Sequence, residues 1–216
     1  SPLSTRYRIQ NLTRFVPENN GVQSATAGVT ARAGSPAIRR FLSVLDRVTS
    51  PSAGVDVERT DGIDVDAVNA VYRDTRPAGI HVPRERAFLR WRFANPRWET
   101  TTYVARDGGR PVATLVAATE RVADSVLTRI LDVQPMRTDP ERAAPVEAAL
   151  ATLLADHATV DLIEASGRPF PRVFRRHGFL SDAGFPLERV ATRTAHAVRP
   201  LDAERPPAAN GVGGGT

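Results

Sequence analysis

The 216-residue chain is 41% hydrophobic and 25% charged, which excludes disorder throughout and supplies enough apolar material for a sizeable packed core. Its 29 basic and 24 acidic side chains leave a net charge of +5, and with no lysine present every basic residue is arginine. Having no cysteine, it cannot form a disulfide framework, a thiol nucleophile or a thiolate metal site.

Arginine grips phosphates and carboxylates with two donors at once. Here the arginines are scattered among nearly as many acids, so overall composition explains them better than a nucleic-acid surface does. No apolar run approaches the roughly 20 residues a membrane helix needs, and SPLSTRYRIQ lacks the apolar centre of a signal peptide. The expectation is a soluble, cytoplasmic protein with no membrane partner.

In chain order, residues 5–10 (TRYRIQ) alternate as a strand that needs a sheet to join, and residues 11–35 read as linker. A helix begins at Ser35-Pro36 and carries Ile38, Phe41, Leu42, Leu45 and Val48 at helical spacing. A short strand over residues 55–60 precedes a helix from about Asp64, with Val65, Val68, Val71 and Tyr72 on one side. PRERAFLRWRF, from Pro83, predicts another helix, with Phe88 and Trp91, and Leu89 and Phe93, in two apolar rows. Arginines between aromatics suit either a base-stacking surface or, more simply, core residues with snorkelling arginines.

Residues 100–106 and 110–119 predict a β-hairpin about Asp107-Gly108-Gly109, and residues 126–133 a third strand. Val146, Ala149, Leu150, Leu153 and Leu154 mark a helix, residues 160–165 a buried strand, and residues 168–177 a short helix that Gly178 terminates. Residues 187–198 alternate as a last strand, and from Pro200 the chain reads as a loose tail.

This order of elements resembles the GNAT (N-acetyltransferase) superfamily. LDVQP, ending the third strand, is similar to that family's strand-end pattern. VFRRHGF is similar to the ending of its last conserved helix, and FLRWRFANP followed by TTYVARDGGRPVA resembles the second half of proteins with two GNAT-like domains in tandem. The resemblance implies an α/β (α+β) fold: a mixed, mostly antiparallel sheet flanked by helices on both faces. It also implies an organisation in four parts. Residues 1–35 are a strand of a preceding domain plus linker, 36–60 a bridging helix and loop, 61–199 the GNAT-like domain, and 200–216 a disordered tail.

The implied activity is acyl transfer from acetyl-CoA or another acyl-CoA to an amine, with no metal. The acceptor would be a small molecule or peptide, and a second GNAT-like domain or a homodimer partner is implied. The family's pyrophosphate loop carries glycines that let backbone N–H groups close on phosphate at a helix start. Here the loop reads MRTDPERAAP, without glycine and with Asp139 and Glu141, so Arg137 and Arg142 become the candidate anion ligands. Leu131, Val133 and Ser166 match positions that meet the coenzyme. Phe174 stands where many relatives carry a proton-donating Tyr, which leaves His177 as the nearest titratable substitute and Glu164 as a candidate base. His177 suits a helix-dipole partner equally, and Glu164 a solvated strand position. The alternative from another class is an arginine-rich anion- or nucleic-acid-binding module without enzymatic activity.

Overall fold

A computed structural model describes residues 5–9, 40, 42, 44, 55–79, 81–96, 98–122, 125–166 and 169–181. The last strand expected over residues 187–198, the linker, the tail and most of the helix from Ser35 lie outside the described residues. Of that helix, Arg40, Leu42 and Val44 are helical and Leu42 is buried.

The strands are β1 (Thr5–Ile9), β2 (Asp56–Asp61), β3 (Glu99–Asp107), β4 (Arg110–Val122), β5 (Ser125–Gln134), β6 (Leu162–Ser166) and β7 (Leu180–Ser181). They form one sheet in the order β2-β3-β4-β5-β6-β1-β7, antiparallel except for the β5–β6 pair. The helices are α1 (Val65–Asp74), α2 (Arg86–Arg92), α3 (Ala143–Asp156) and α4 (Pro171–Arg176). This is the mixed, mostly antiparallel sheet with helices on both faces that the sequence implies.

Local chemistry fixes each element. Asp64 caps α1 by accepting the Ala67 N–H at 2.9 Å. Gly108 and Gly109 join β3 to β4 with φ of 54° and 81°, the left-handed pair that a two-residue hairpin turn demands. α2 starts at Arg86, later than its sequence pattern, because Glu85 is extended at its N-terminus. Pro171 opens α4, where its fixed φ suits the first turn and its missing N–H is not needed.

One face of the sheet packs under α3 and α4. Tyr103, Leu115, Ala117, Ile130, Val133 and Ile163 meet Val146, Leu150, Leu153, Val173 and Phe174 in a single apolar cluster. The other face, under α1 and α2, holds a smaller cluster of Val68, Leu89, Phe93 and Val116. The long crossover α3 joins β5 to β6, as a parallel pair requires.

Two differences from the sequence reading have physical reasons. The segment assigned to a preceding domain, β1, pairs antiparallel with both β6 and β7 of this sheet, so its backbone is satisfied on both edges. Its Arg8 is 3% exposed and donates to the His177 carbonyl at 3.0 Å, within the core. The short strand expected over residues 55–60, placed in a bridging region outside the GNAT-like domain, is β2, the edge strand of this sheet beside β3.

Candidate functional site

The site is built by a change in strand pairing. β5 and β6 run parallel only from Leu127 opposite Leu162 to Ile130 opposite Ala165. On the β4 side, Ala117 pairs with Ile130 and Val116 with Asp132, so Leu131 is one extra residue, a β-bulge. A bulge bends its strand and re-aims the side chains beyond it. β5 therefore leaves β6 at the bulge, and residues 131–134 have no β6 partner. The side chains confirm the change of phase: Ile130 and Val133 both enter the α3-side core, while Leu131 packs against the α1–α2 cluster.

At the foot of this parting lies a cavity of about 880 Å³, walled by Thr138, Pro140, Ala143 and Phe170 and by Arg172, Arg175 and Arg176 of α4. Thr138 Oγ1 accepts the Phe170 N–H at 2.9 Å and so ties the loop after β5 to the loop after β6. Phe170 holds φ 55° while buried, a left-handed conformation costly for an aromatic residue, kept in place by core packing on its ring.

The candidates named from sequence fall in different places. Leu131 is the bulge itself, and Val133 is buried beyond it. Ser166 ends β6 opposite Thr5 of β1. Arg137 donates to the Ala78 carbonyl. Arg142 donates to the Val112 carbonyl at 3.2 Å and to Asp74 Oδ2 at 2.7 Å, so its charge is taken by the end of α1. Asp139 Oδ1 accepts the Glu141 N–H at 3.0 Å, placing the chain's own carboxylate at the start of the crossover helix.

Glu164 sits in an ion-pair ladder across three strands, 3.2 Å from Arg129 Nε, with Arg129 also bound to Glu120. His177 is fully buried, with Nε2 3.5 Å from Glu147 Oε1, so solvent-borne substrate does not reach its ring. Phe174 packs edge-on to Phe179 at 5.0 Å.

A polar group on the α1–α2 face escaped the sequence reading. Arg84 Nε and Nη2 both donate to Asp132 Oδ1, at 2.8 and 2.7 Å, and Gln134 Nε2 donates to Asp132 Oδ2 at 2.8 Å. Buried Gln134 Oε1 and Thr114 Oγ1, on residues opposite each other in the β4–β5 ladder, have no hydrogen-bond partner among the described residues. Nearby in the fold, His81 Nδ1 donates to the Gly79 carbonyl at 2.7 Å, and in the neutral ring Nε2 then accepts from the Tyr72 hydroxyl at 3.0 Å. Because Arg137 binds Ala78, this loop is drawn to the same end of β5 as the parting. The only hint in the sequence was Asp and Gln alternating through LDVQP, where an apolar strand was expected.

A second polar chain occupies the far end of the sheet. His157 joins the Tyr103 hydroxyl through Nε2 and Thr128 Oγ1 through Nδ1, each at 3.2 Å, and Thr128 reaches Thr119 at 3.0 Å. Burial pushes the Tyr103 phenol up, helped by Asp156, and pushes the His157 imidazole down. Among the described residues no group of His, Asp and Glu is arranged to hold a metal ion, and no helix is long and apolar enough to cross a membrane. Trp91 of α2 is 73% exposed, with Phe88 5.8 Å away on the inner side.

No protein-family model matches the sequence, and neither does any curated protein. Among solved structures, the chain is similar to a GCN5-related N-acetyltransferase from Anabaena variabilis, with a TM-score of 0.45 and 16% identity over 61% of this chain. It is also similar to a functionally unknown conserved protein from Staphylococcus epidermidis, with a TM-score of 0.43 and 11% identity over 83% of this chain. The chain spans 33% of the first protein's length and 57% of the second's.

Proposed function

We propose that this chain carries a coenzyme-A-dependent N-acyltransferase site that moves an acetyl or other acyl group to the amine of a small molecule or peptide. The observation that carries this reading is the parting of β5 from β6 at the Leu131 bulge. It leaves a strand edge against which an extended acyl-pantetheine arm can lie as an added strand, main chain to amide. The cavity below receives the remainder of the coenzyme.

In the reaction the amine nitrogen attacks the thioester carbonyl, a C–N bond forms as the C–S bond breaks, and the thiolate leaves. Holding both reactants at one strand edge converts a bimolecular encounter into an intramolecular one, and main-chain N–H groups aimed at the carbonyl oxygen stabilise its developing charge. His81 takes the amine proton on Nε2, the ring nitrogen that meets the Tyr72 hydroxyl, while Nδ1 stays on the Gly79 carbonyl. Phe174 has no proton to give, so the departing thiolate takes its proton from solvent.

Calorimetry with acetyl-CoA tests the first half: micromolar binding supports it, and no heat at millimolar coenzyme rejects it. His81→Gln tests the second. It lowers the rate of acyl transfer by about 100-fold or more while coenzyme affinity holds; an unchanged rate removes His81 from the reaction.

Asp139 at the crossover helix start and Phe174 in the core favour one variant of this reading. In it, this domain shapes the acceptor pocket while a second GNAT-like domain, in the same protein or in a homodimer partner, performs the transfer. A chain that binds the amine but by itself neither binds coenzyme nor transfers an acyl group distinguishes that arrangement.

A further inference from the structure

Resting on the acyl-coenzyme reading, we infer that the phosphates of the coenzyme are held by Arg172 and Arg175 of α4 and not by the loop after β5. The loop is already spent. Arg137 is bound to Ala78, Arg142 to Asp74 and Val112, and the short 3-10 turn Pro140–Arg142 that leads into the crossover helix is capped by Asp139. A phosphate entering there would have to displace a carboxylate that is covalently part of the site.

α4 presents the opposite balance. Its six residues, PRVFRR, contain three arginines. Arg176 is neutralised by Glu147 at 2.9 Å. The side chains of Arg172 and Arg175 are exposed and have no hydrogen-bond or ion-pair partner among the described residues, and both line the cavity. Three apart on a helix, they are neighbours on one face, where like charges repel unless an anion lies between them. Guanidinium groups bind phosphate through paired donors, so two of them side by side match the two phosphates of a diphosphate. Pro140, Ala143 and Phe170 give the same cavity an apolar wall for the less polar parts of the ligand.

The experiment titrates the full chain calorimetrically with coenzyme A, adenosine 3′,5′-bisphosphate and inorganic pyrophosphate, in the parent and in Arg172→Ala/Arg175→Ala. Both side chains are exposed, so circular dichroism melts of the two proteins should coincide. The double substitution weakens coenzyme A about 100-fold, two charge-assisted contacts being lost. It abolishes pyrophosphate binding, and the Lys/Lys variant recovers part of the affinity. Arg137→Ala and Arg142→Ala shift it less than about threefold, the size of a change in surface charge. If the double Ala variant binds coenzyme A as the parent does, the inference is overturned while the acyltransferase reading stands. Pyrophosphate bound through Arg172 and Arg175 without acyl transfer upholds the anion site and sinks the reaction. An oligonucleotide bound through the same two arginines, with no heat from coenzyme A, overturns the inference in favour of a nucleic-acid face.

Discussion

The two faces of the sheet are built on different principles. The α3–α4 face is a continuous apolar cluster of aliphatic and aromatic side chains. The α1–α2 face has a smaller apolar cluster of Val68, Leu89, Phe93 and Val116, and beside it Asp132, Gln134 and Thr114 are buried with Arg84 half-buried over them. Burying charge contributes little to stability, and an ion pair taken from water rarely gains more than well-packed hydrocarbon would. The first face therefore holds the fold together. The second accepts a less stable packing in exchange for polar groups beside the strand parting, which is where chemistry would need them.

Four measurements break or sharpen this contrast. Leu150→Ala, in the apolar face, should cost about 4 kcal/mol in chemical denaturation, the usual size for emptying a tightly packed site; a cost near zero would mean that this face is not the framework. Asp132→Ala leaves Arg84 largely buried without its partner and should cost about 3 kcal/mol, whereas Asp132→Leu with Arg84→Met should recover most of that loss. Failure of the apolar pair to recover would show that the ion pair itself stabilises the fold.

The third measurement probes the polar seam inside the apolar face. Burial holds the His157 imidazole below the ordinary histidine value of about 6.5. The unfolded chain therefore binds the proton more readily than the folded one. The stability this contributes is full above about pH 6.5 and is lost as pH falls below 6.5 toward the folded pKa. Comparing parent and His157→Gln melts between pH 7.5 and 5 should show the parent losing more stability over that range; parallel losses would count against it. The smallest effect is expected from Thr114→Val, which removes a buried hydroxyl that has no partner among the described residues and should raise stability by about 1 kcal/mol. Destabilisation would instead reveal a hydrogen bond to bound solvent or ligand.

The fold was legible because its signals are local and periodic. The hairpin glycines, the Asp64 cap and the apolar stripe of α3 each specify their element without reference to the rest of the chain. TRYRI was legible as a strand but not in its destination, since pairing between β1 and β6 depends on residues at the other end of the sequence. The site was legible in part. LDVQP marked the correct strand end, yet no pattern announces a bulge, because it is a difference in length between two paired strands. Arg142 was attractive as an anion ligand until its distant partner, Asp74, became visible. Arg172 and Arg175 belonged to the arginine-rich alternative and were not tied to the coenzyme, because three arginines in six residues also resemble an ordinary solvated helix.

The position of β1 has a consequence for how the protein is made. β1 is among the last strands of this sheet that can be seated, since its slot lies between β6 and β7, which come much later in the sequence. Contacts so distant in sequence are slow to form, because the entropy of closing the intervening loop is lost before the pairing returns anything. Until then the nascent molecule holds two unclosed strand edges and a cationic Arg8 outside its eventual site beneath the His177 carbonyl. Completion of the sheet, with the burial of that arginine, therefore waits on the most sequence-distant pairing in the domain.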